Sequence, residues 1–244
     1  MSDDPRYYAV SEATWPCARK FTLGPITLRE GQGGGSRVSS ATVNGPVADS
    51  DIAAAEVAMR DMGQVPLFMI RDGEDVLDAQ LAAREYEVKD PVNLWSCPVD
   101  LLTDVDIPPV TTFCVWKPLA IQAEIWAAGG IGPKRLAVME HVEGQKTSIL
   151  SRGNEQPAGT AFCAIHDGVA VVHALEILPH QRRKGMGVWM MRQAAIWARD
   201  NGAEELAVMC TKRNIGANGL YASLGMTTVG QYHYRILSNG DEPE

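Results

Sequence analysis

The sequence predicts a mixed α/β fold built in two related halves. Strand-like and helix-like segments alternate along all 244 residues, the pattern of helices laid against a sheet. Apolar residues make up 45% and charged residues 21% of the chain, which is ordinary for a globular protein with ample core material. The order of segments also repeats. Arg60-Asp61-Met62-Gly63 and an apolar run at 67–70 are matched by Arg199-Asp200-Asn201-Gly202 and an apolar run at 206–209. In both places a helix closes on R-D-x-G and a strand follows at the same spacing. The length suits two modest domains.

In the first half, residues 26–30 and 37–44 read as strands around a turn at 31–36, where Gly31-Gln32-Gly33-Gly34-Gly35-Ser36 breaks the pattern. This glycine run has no P-loop lysine and no helix is predicted after it, so it reads as a hairpin turn. A helix is predicted over 51–62, capped by Asp49 or Ser50 and ended by Gly63. A short apolar strand at 66–71, a helix at 76–84 and a strand at 86–89 that 92–98 continues complete the half. Residues 101–109 carry two Asp and two Pro without periodicity and read as a linker.

The second half opens with a strand at 111–117, then helices at 119–128 and 135–142 around a glycine-rich turn, then a strand at 147–151. Residues 159–166 and 169–178 form a hairpin turning at Asp167-Gly168, a strong hairpin dipeptide. A helix at 188–201, a buried strand at 206–211, a short helix at 215–224 and a final strand at 231–237 follow.

A net charge of −8 argues against a nucleic-acid footprint, which needs a basic surface. The five cysteines, Cys17, Cys97, Cys114, Cys163 and Cys210, form no C-x-x-C pair and no even framework, so neither a metal site nor a secreted disulfide scaffold is expected. Cys163 and Cys210 sit in apolar strands and read as packing residues. Glu140-His141 reads as helix surface. The start, Ser2-Asp3-Asp4-Pro5, is no signal segment, and no window approaches the ~18 apolar residues of a membrane span. A cytoplasmic, soluble protein with no membrane or nucleic-acid partner is expected.

The dense basic cluster, Arg182-Arg183-Lys184, leads into Gly185-Met186-Gly187 between a predicted strand and a predicted helix. Such a loop presents backbone N–H groups at a helix start, where the dipole also favours an anion. Two glycines allow close backbone approach, and three cations add charge at the same point. The combination suits a pyrophosphate, although alone it also describes a solvated basic loop.

The hexapeptide resembles the R/Q-x-x-G-x-G/A pyrophosphate loop of the GNAT acyltransferases. The segment Asn214, Ala217, Leu220-Tyr221, Gly225-Met226 is similar to that family's N-x-x-A-x-x-L-Y-x-x-x-G-F, with Met226 in place of the usual Phe. The resemblance is specific over about 157–235. It implies a tandem GNAT-like fold, each half a mixed, mostly antiparallel sheet flanked by helices, with 1–110 a degenerate non-catalytic copy and 111–244 the catalytic domain. It implies acetyl-CoA, or another acyl-CoA, as co-substrate with no metal, and direct transfer of the acyl group to a small-molecule or peptide amine. Homodimerisation stays open.

By that resemblance, the backbone of Ile177 and Leu178 would pair with the pantetheine arm. The loop from Arg182 and the amides of Arg183, Lys184, Gly185, Met186, Gly187 and Val188 would hold the pyrophosphate, and Asn214 would contact the pantetheine or order its loop. Tyr221 would protonate the departing thiolate, since a phenol of pKa ~10 can hand a proton to a developing thiolate whose thiol has pKa ~8.5. His173 is the first candidate for the base that deprotonates the amine, because a neutral imidazole of pKa ~6.5 accepts a proton near neutrality; His173-Ala174-Leu175 resembles the arylalkylamine branch of the family. Glu176 is the second. On an ideal strand it faces away from His173, and a bulge expected from the resemblance would reset that alternation.

In the first half, the positions matching the phosphate loop, near Val43–Ala48 in register, hold neither arginine nor paired glycines, and Leu81 and Glu85 replace Tyr221 and Gly225. Tyr232 and Tyr234 alternate on the last strand, where they pack in the sheet or line an acceptor site. Two rival readings are an acyl-CoA-binding sensor without catalysis, and a nucleotide-binding protein. The second lacks a Walker Lys-Ser/Thr pair.

Overall fold

The computed structural model describes residues 5–238. It begins with an element the sequence did not signal, helix α1 (Arg6–Thr14), which buries Tyr7, Val10, Ser11 and Thr14. Their spacing is helical, but two of the four are polar, so the apolar stripe is faint. Strands β1 (Arg19–Leu23), β2 (Ile26–Glu30) and β3 (Thr42–Val43) make an antiparallel three-stranded sheet. The strand expected over 37–44 shrinks to β3 because Ser36–Ser39 coils into one turn of helix, α2. The glycine run therefore leads into a helical turn.

Helix α3 (Asp49–Asp61), strand β4 (Leu67–Arg71), helix α4 (Asp75–Ala83) and strand β5 (Glu87–Pro98) follow, and a 3₁₀ turn at Val99–Leu102 leads out of β5. The second half continues with β6 (Thr112–Val115), α5 (Ala120–Ala128), α6 (Pro133–His141) and β7 (Lys146–Gly153). Strands β8 (Gln156–His166) and β9 (Val169–Ile177) then form the expected hairpin, with Asp167 and Gly168 both at positive φ, as a type I′ turn requires. The chain ends in α7 (Met186–Asp200), β10 (Glu205–Thr211), α8 (Ile215–Ser223) and β11 (Thr227–Ile236).

Strands β4 to β11 build one eight-stranded sheet in the order β4-β11-β5-β10-β9-β8-β7-β6. Every neighbouring pair is antiparallel except β9 and β10. The small sheet meets it through a parallel bridge between Ala41 and Phe68. The run α3-β4-α4-β5 has the same order as α7-β10-α8-β11, and the two R-D-x-G tetrapeptides close α3 and α7. The two final strands are exchanged. β5 lies against β10, and β11 lies against β4. The sheet thus runs unbroken across the linker at 101–109.

Four apolar clusters hold these layers. One packs α7, through Met190, Met191, Ala194 and Ala198, onto Ala170, Leu206 and Val208. A second buries α3 and α4 against Phe68 and Ile70. The third lies under α1 at the middle of the sheet, and the fourth joins α5 and α6 to Phe162 and Trp15. Small alanines on α7 let its backbone approach the sheet, which fixes where its first turn stands.

Candidate active site

Strands β9 and β10 are paired from Val169–Glu205 to Val172–Val208 and then part. The parting follows from one extra residue in β9. Its register against β8 jumps from Phe162–His173 to Thr160–Glu176, with Ala174 at φ 50°, a β-bulge that bends the strand away from its neighbour. Thr160 and Phe162 share a face, so the bulge also puts His173 and Glu176 on one face. The opened strands bound a cleft of ≈ 640 Å³ whose walls include His173, Glu176, Ile177, Asn214 and Tyr221.

The N-terminus of α7 stands at one end of this cleft. Gly185 caps the helix with φ 78° and ψ 0°, a left-handed conformation that favours glycine, and Arg183 precedes it at φ 61°. The first turn leaves backbone N–H groups without intrahelical acceptors. Gly187 packs closely on α8, where a Cβ would stand 2.8 Å from Leu220 Cδ2. Arg183, Gly185, Met186, Gly187 and Val188 line a hollow of ≈ 470 Å³ that shares Ile177 and Leu220 with the cleft. Lys184 is not part of this wall, but its Nζ donates at 3.4 Å to Oε1 of Gln181, which is.

Ile177 and Leu178 divide their roles. The Leu178 N–H donates to Ala158 O at 2.9 Å and its carbonyl accepts from the Gln181 N–H at 2.8 Å. The Leu178 N–H is therefore committed, and its carbonyl keeps one lone pair for a second donor. That same pairing turns the N–H and C=O of Ile177 away from β8, toward the cleft. There the carbonyl accepts from Arg182 Nε at 2.9 Å. Arg182 also donates through Nη2 to Glu176 Oε1 at 3.0 Å, so it bridges the rim of the cleft.

His173 is held from both sides. Its Nδ1 accepts from Arg37 Nη1 at 2.9 Å, and its Nε2 lies 2.9 Å from Thr14 Oγ1. The Thr14 hydroxyl donates to Val10 O at 2.8 Å, so it must accept from Nε2, and arginine can only donate. The ring is thus the neutral Nε2–H tautomer. Burial, and secondarily the Arg37 cation, push its pKa well below the usual histidine range. The lone pair a base would use is occupied. Glu176 instead keeps a carboxylate at the cleft, its side chain 20% exposed, close enough to α5 that a Cβ on Gly129 would stand 2.7 Å from Oε2.

Tyr221, on α8, is buried, and burial drives its phenol well above the ordinary value, with Cys210 nearby contributing. It stays protonated at neutral pH. Cys210 and Cys163 are buried thiols whose pKa values burial also raises, that of Cys210 to about 11, so neither presents a thiolate. Asn214 caps α8, its Oδ1 accepting from the Ala217 N–H at 3.1 Å. Asn218, not singled out by the sequence, ties α8 to β5. Its Oδ1 accepts from Trp95 Nε1 and Asn93 Nδ2, at 3.0 and 3.1 Å, and its Nδ2 donates to Thr211 O at 2.9 Å.

Arg37 and Thr14 were likewise not singled out, since each meets His173 across a long stretch of chain. The glycine run brings Arg37 there: the loop lies against α6 so closely that a Cβ on Gly34 would stand 2.7 Å from Val138 Cγ2. Tyr232 and Tyr234 are buried edge to face, 5.4 Å apart, and line a hollow of ≈ 230 Å³ with Arg37 and His173. Among the described residues, no group of three or more His, Cys, Asp and Glu is gathered as for a metal ion, and no helix is long and apolar enough to cross a membrane.

Residues 124–226 match the family described as Acetyltransferase (GNAT) family. The chain is 24% identical to the "Uncharacterized N-acetyltransferase YobR" of Bacillus subtilis (strain 168), over 97% of this chain and 99% of that protein. Among solved structures it is similar to a "GCN5-related N-acetyltransferase from Kribbella flavida", with a TM-score of 0.70, 19% identity and coverage of 98% and 97% of the two chains. It is also similar to a "Tandem GNAT protein from the clavulanic acid biosynthesis pathway", with a TM-score of 0.63, 10% identity and coverage of 84% and 76%.

Proposed function

We propose, from the match of residues 124–226 to the GNAT acetyltransferase family, that the chain moves the acetyl group of acetyl-CoA directly onto an amine, with Glu176 as base and Tyr221 as acid. The observation that carries this reading is the continuity of three features. A cleft opened by the β9 bulge and walled by a buried phenol adjoins a hollow at a helix start with a basic glycine loop, the two sharing Ile177 and Leu220.

The residues fit the co-substrate. The first turn of α7, with Gly185 and Arg183, suits the pyrophosphate, and the inward N–H and C=O of Ile177 suit the amides of a pantetheine arm. When bound, the thioester supplies an activated acetyl group. Glu176 takes the proton that an ammonium must lose before its nitrogen can attack. Tyr221 delivers a proton to the sulfur as the C–S bond breaks. His173, locked neutral by Thr14 and Arg37, positions β9 at its bulge.

The reading extends to the whole chain as two GNAT-like halves, 1–110 without chemistry and 111–244 with it. Leu81, fully buried, replaces Tyr221. The first turn of α3 holds Asp49 and Asp51 where α7 meets its basic loop, and two carboxylates at a helix start repel a pyrophosphate. Thiol release from acetyl-CoA, followed with a panel of amines, tests the activity. Absence of both acetyl-CoA binding and turnover would defeat it.

A further inference from the structure

Arg37 stands where three spaces meet. It lines the β9–β10 cleft, the ≈ 230 Å³ hollow beside Tyr234, and a cavity of ≈ 540 Å³ between α1 and the small sheet. Its Nε is buried and without a hydrogen-bond partner. The carboxylates facing the three spaces are committed to other cations, that of Glu176 in the cleft to Arg182 at 3.0 Å. Glu12 pairs with Arg29 and Lys20, at 2.7 and 2.6 Å, and Asp90 with Arg213 at 2.9 Å. Arg37 is left donating to the neutral Nδ1 of His173, an arrangement that leaves its charge uncompensated.

The ≈ 540 Å³ cavity repeats this imbalance. Its charged walls are Lys20, Arg29, Arg37 and Arg71 against Glu12, with Arg71 also paired to Glu74 outside the lining, in a chain whose net charge is −8. A cationic cavity inside an acidic protein is a local device, because the overall field opposes it. Its size and its walls of Tyr8, Trp15 and Tyr232 match small-ligand sites.

Resting on the acetyltransferase reading above, we propose that the acceptor is a small amine that also carries an oxyanion, a carboxylate or a phosphonate-like group, which Arg37 anchors while the amine reaches the cleft. The planar guanidinium matches such an oxyanion with parallel N–H donors, and its buried Nε gains an acceptor when the oxyanion arrives. Arg37 is shared by the cavity and the cleft, so one anchored end places the other at Glu176.

The test compares matched acceptors differing only at the far end: ω-amino carboxylates of two to six carbons, their carboxamides, and the corresponding aminoalkylphosphonates. Thiol release is measured from wild-type protein and from Arg37→Met. The expected result is kcat/KM ~10–100-fold higher for an anionic member than for its amide, with that ratio falling to near one in Arg37→Met. Preference between carboxylate and phosphonate identifies which oxyanion the site takes. Amides used as well as or better than their anionic partners by the wild-type protein would overturn the proposal, whatever the variant's folding. So would binding of acetyl-CoA by calorimetry without turnover of any member. Failure to bind acetyl-CoA at all would fall on the acetyltransferase reading itself.

Discussion

His173 shows how a hydrogen-bond pattern decides between two chemistries for one residue. An exposed imidazole on β9 would be a base, whereas this one has an arginine on its lone pair. Its folded pKa lies below the unfolded value of ~6.5, so the unfolded chain takes up the proton first and stability falls as pH drops through that value. The limiting slope for one such group is ~1.4 kcal/mol per pH unit. Urea titrations between pH 7.5 and 5.5 should show this slope, and His173→Gln should flatten it. The same variant should leave the acidic limb of the pH–rate profile in place, while Glu176→Gln should remove or displace it. The reverse result would return the base to His173. Tyr221→Phe keeps the ring and deletes the donor, so kcat should fall ~10²–10⁴-fold with acetyl-CoA affinity nearly unchanged. A change of only a few-fold would make Tyr221 a packing residue.

At the scale of elements, α8 matters because it carries Tyr221 and is fixed at its start and in its second turn. Asn214 caps its start, and Asn218 joins it to Trp95 and Asn93 of β5. Asn218→Ala leaves those donors without their acceptor and should cost about 1–3 kcal/mol, read as a lower urea midpoint with unchanged slope. A midpoint within error of wild type would show that water replaces the amide. This anchor also marks where the sequence stops being informative. The strands and helices of the second half and the glycine loop before α7 were legible because their signals are local: periodicity, Asp167-Gly168, and the paired glycines. The bulge could be expected from resemblance alone. The contacts from Arg37 and Thr14 to His173 cross 136 and 159 residues, and no local pattern encodes them. α1 escaped for a different reason: Ser11 and Thr14 on its buried face blur the stripe, and only the packing against β8 and β9 reveals them.

For the whole molecule, the exchange of β5 and β11 makes the halves interdependent. β10 has β5 as its antiparallel neighbour, and β11 lies between β4 and β5. Residues 111–244 expressed alone should therefore lack a cooperative unfolding transition, and co-expression with 1–110 should restore it. A sharp, two-state melt from the isolated segment would show that the exchange is dispensable. The full chain should bind one equivalent of acetyl-CoA by calorimetry, because the first half lacks the loop and the phenol. Two equivalents would make both halves binding sites.

The exchange also reverses the usual order of folding during synthesis, in which the N-terminal part settles first. β4 and β5 leave the ribosome well before β10 and β11, the strands that flank them. At ~5–20 residues per second, the interval between Pro98 and Ile236 is on the order of 7–30 s. Through that time the edge of β4 away from Ala41 and both edges of β5 lack their final neighbours, and edges in that state recruit other chains. Lys89, Asp90 and Pro91, near the start of β5, are residues that discourage such pairing. The half made first becomes native only when the last strand slides between its two.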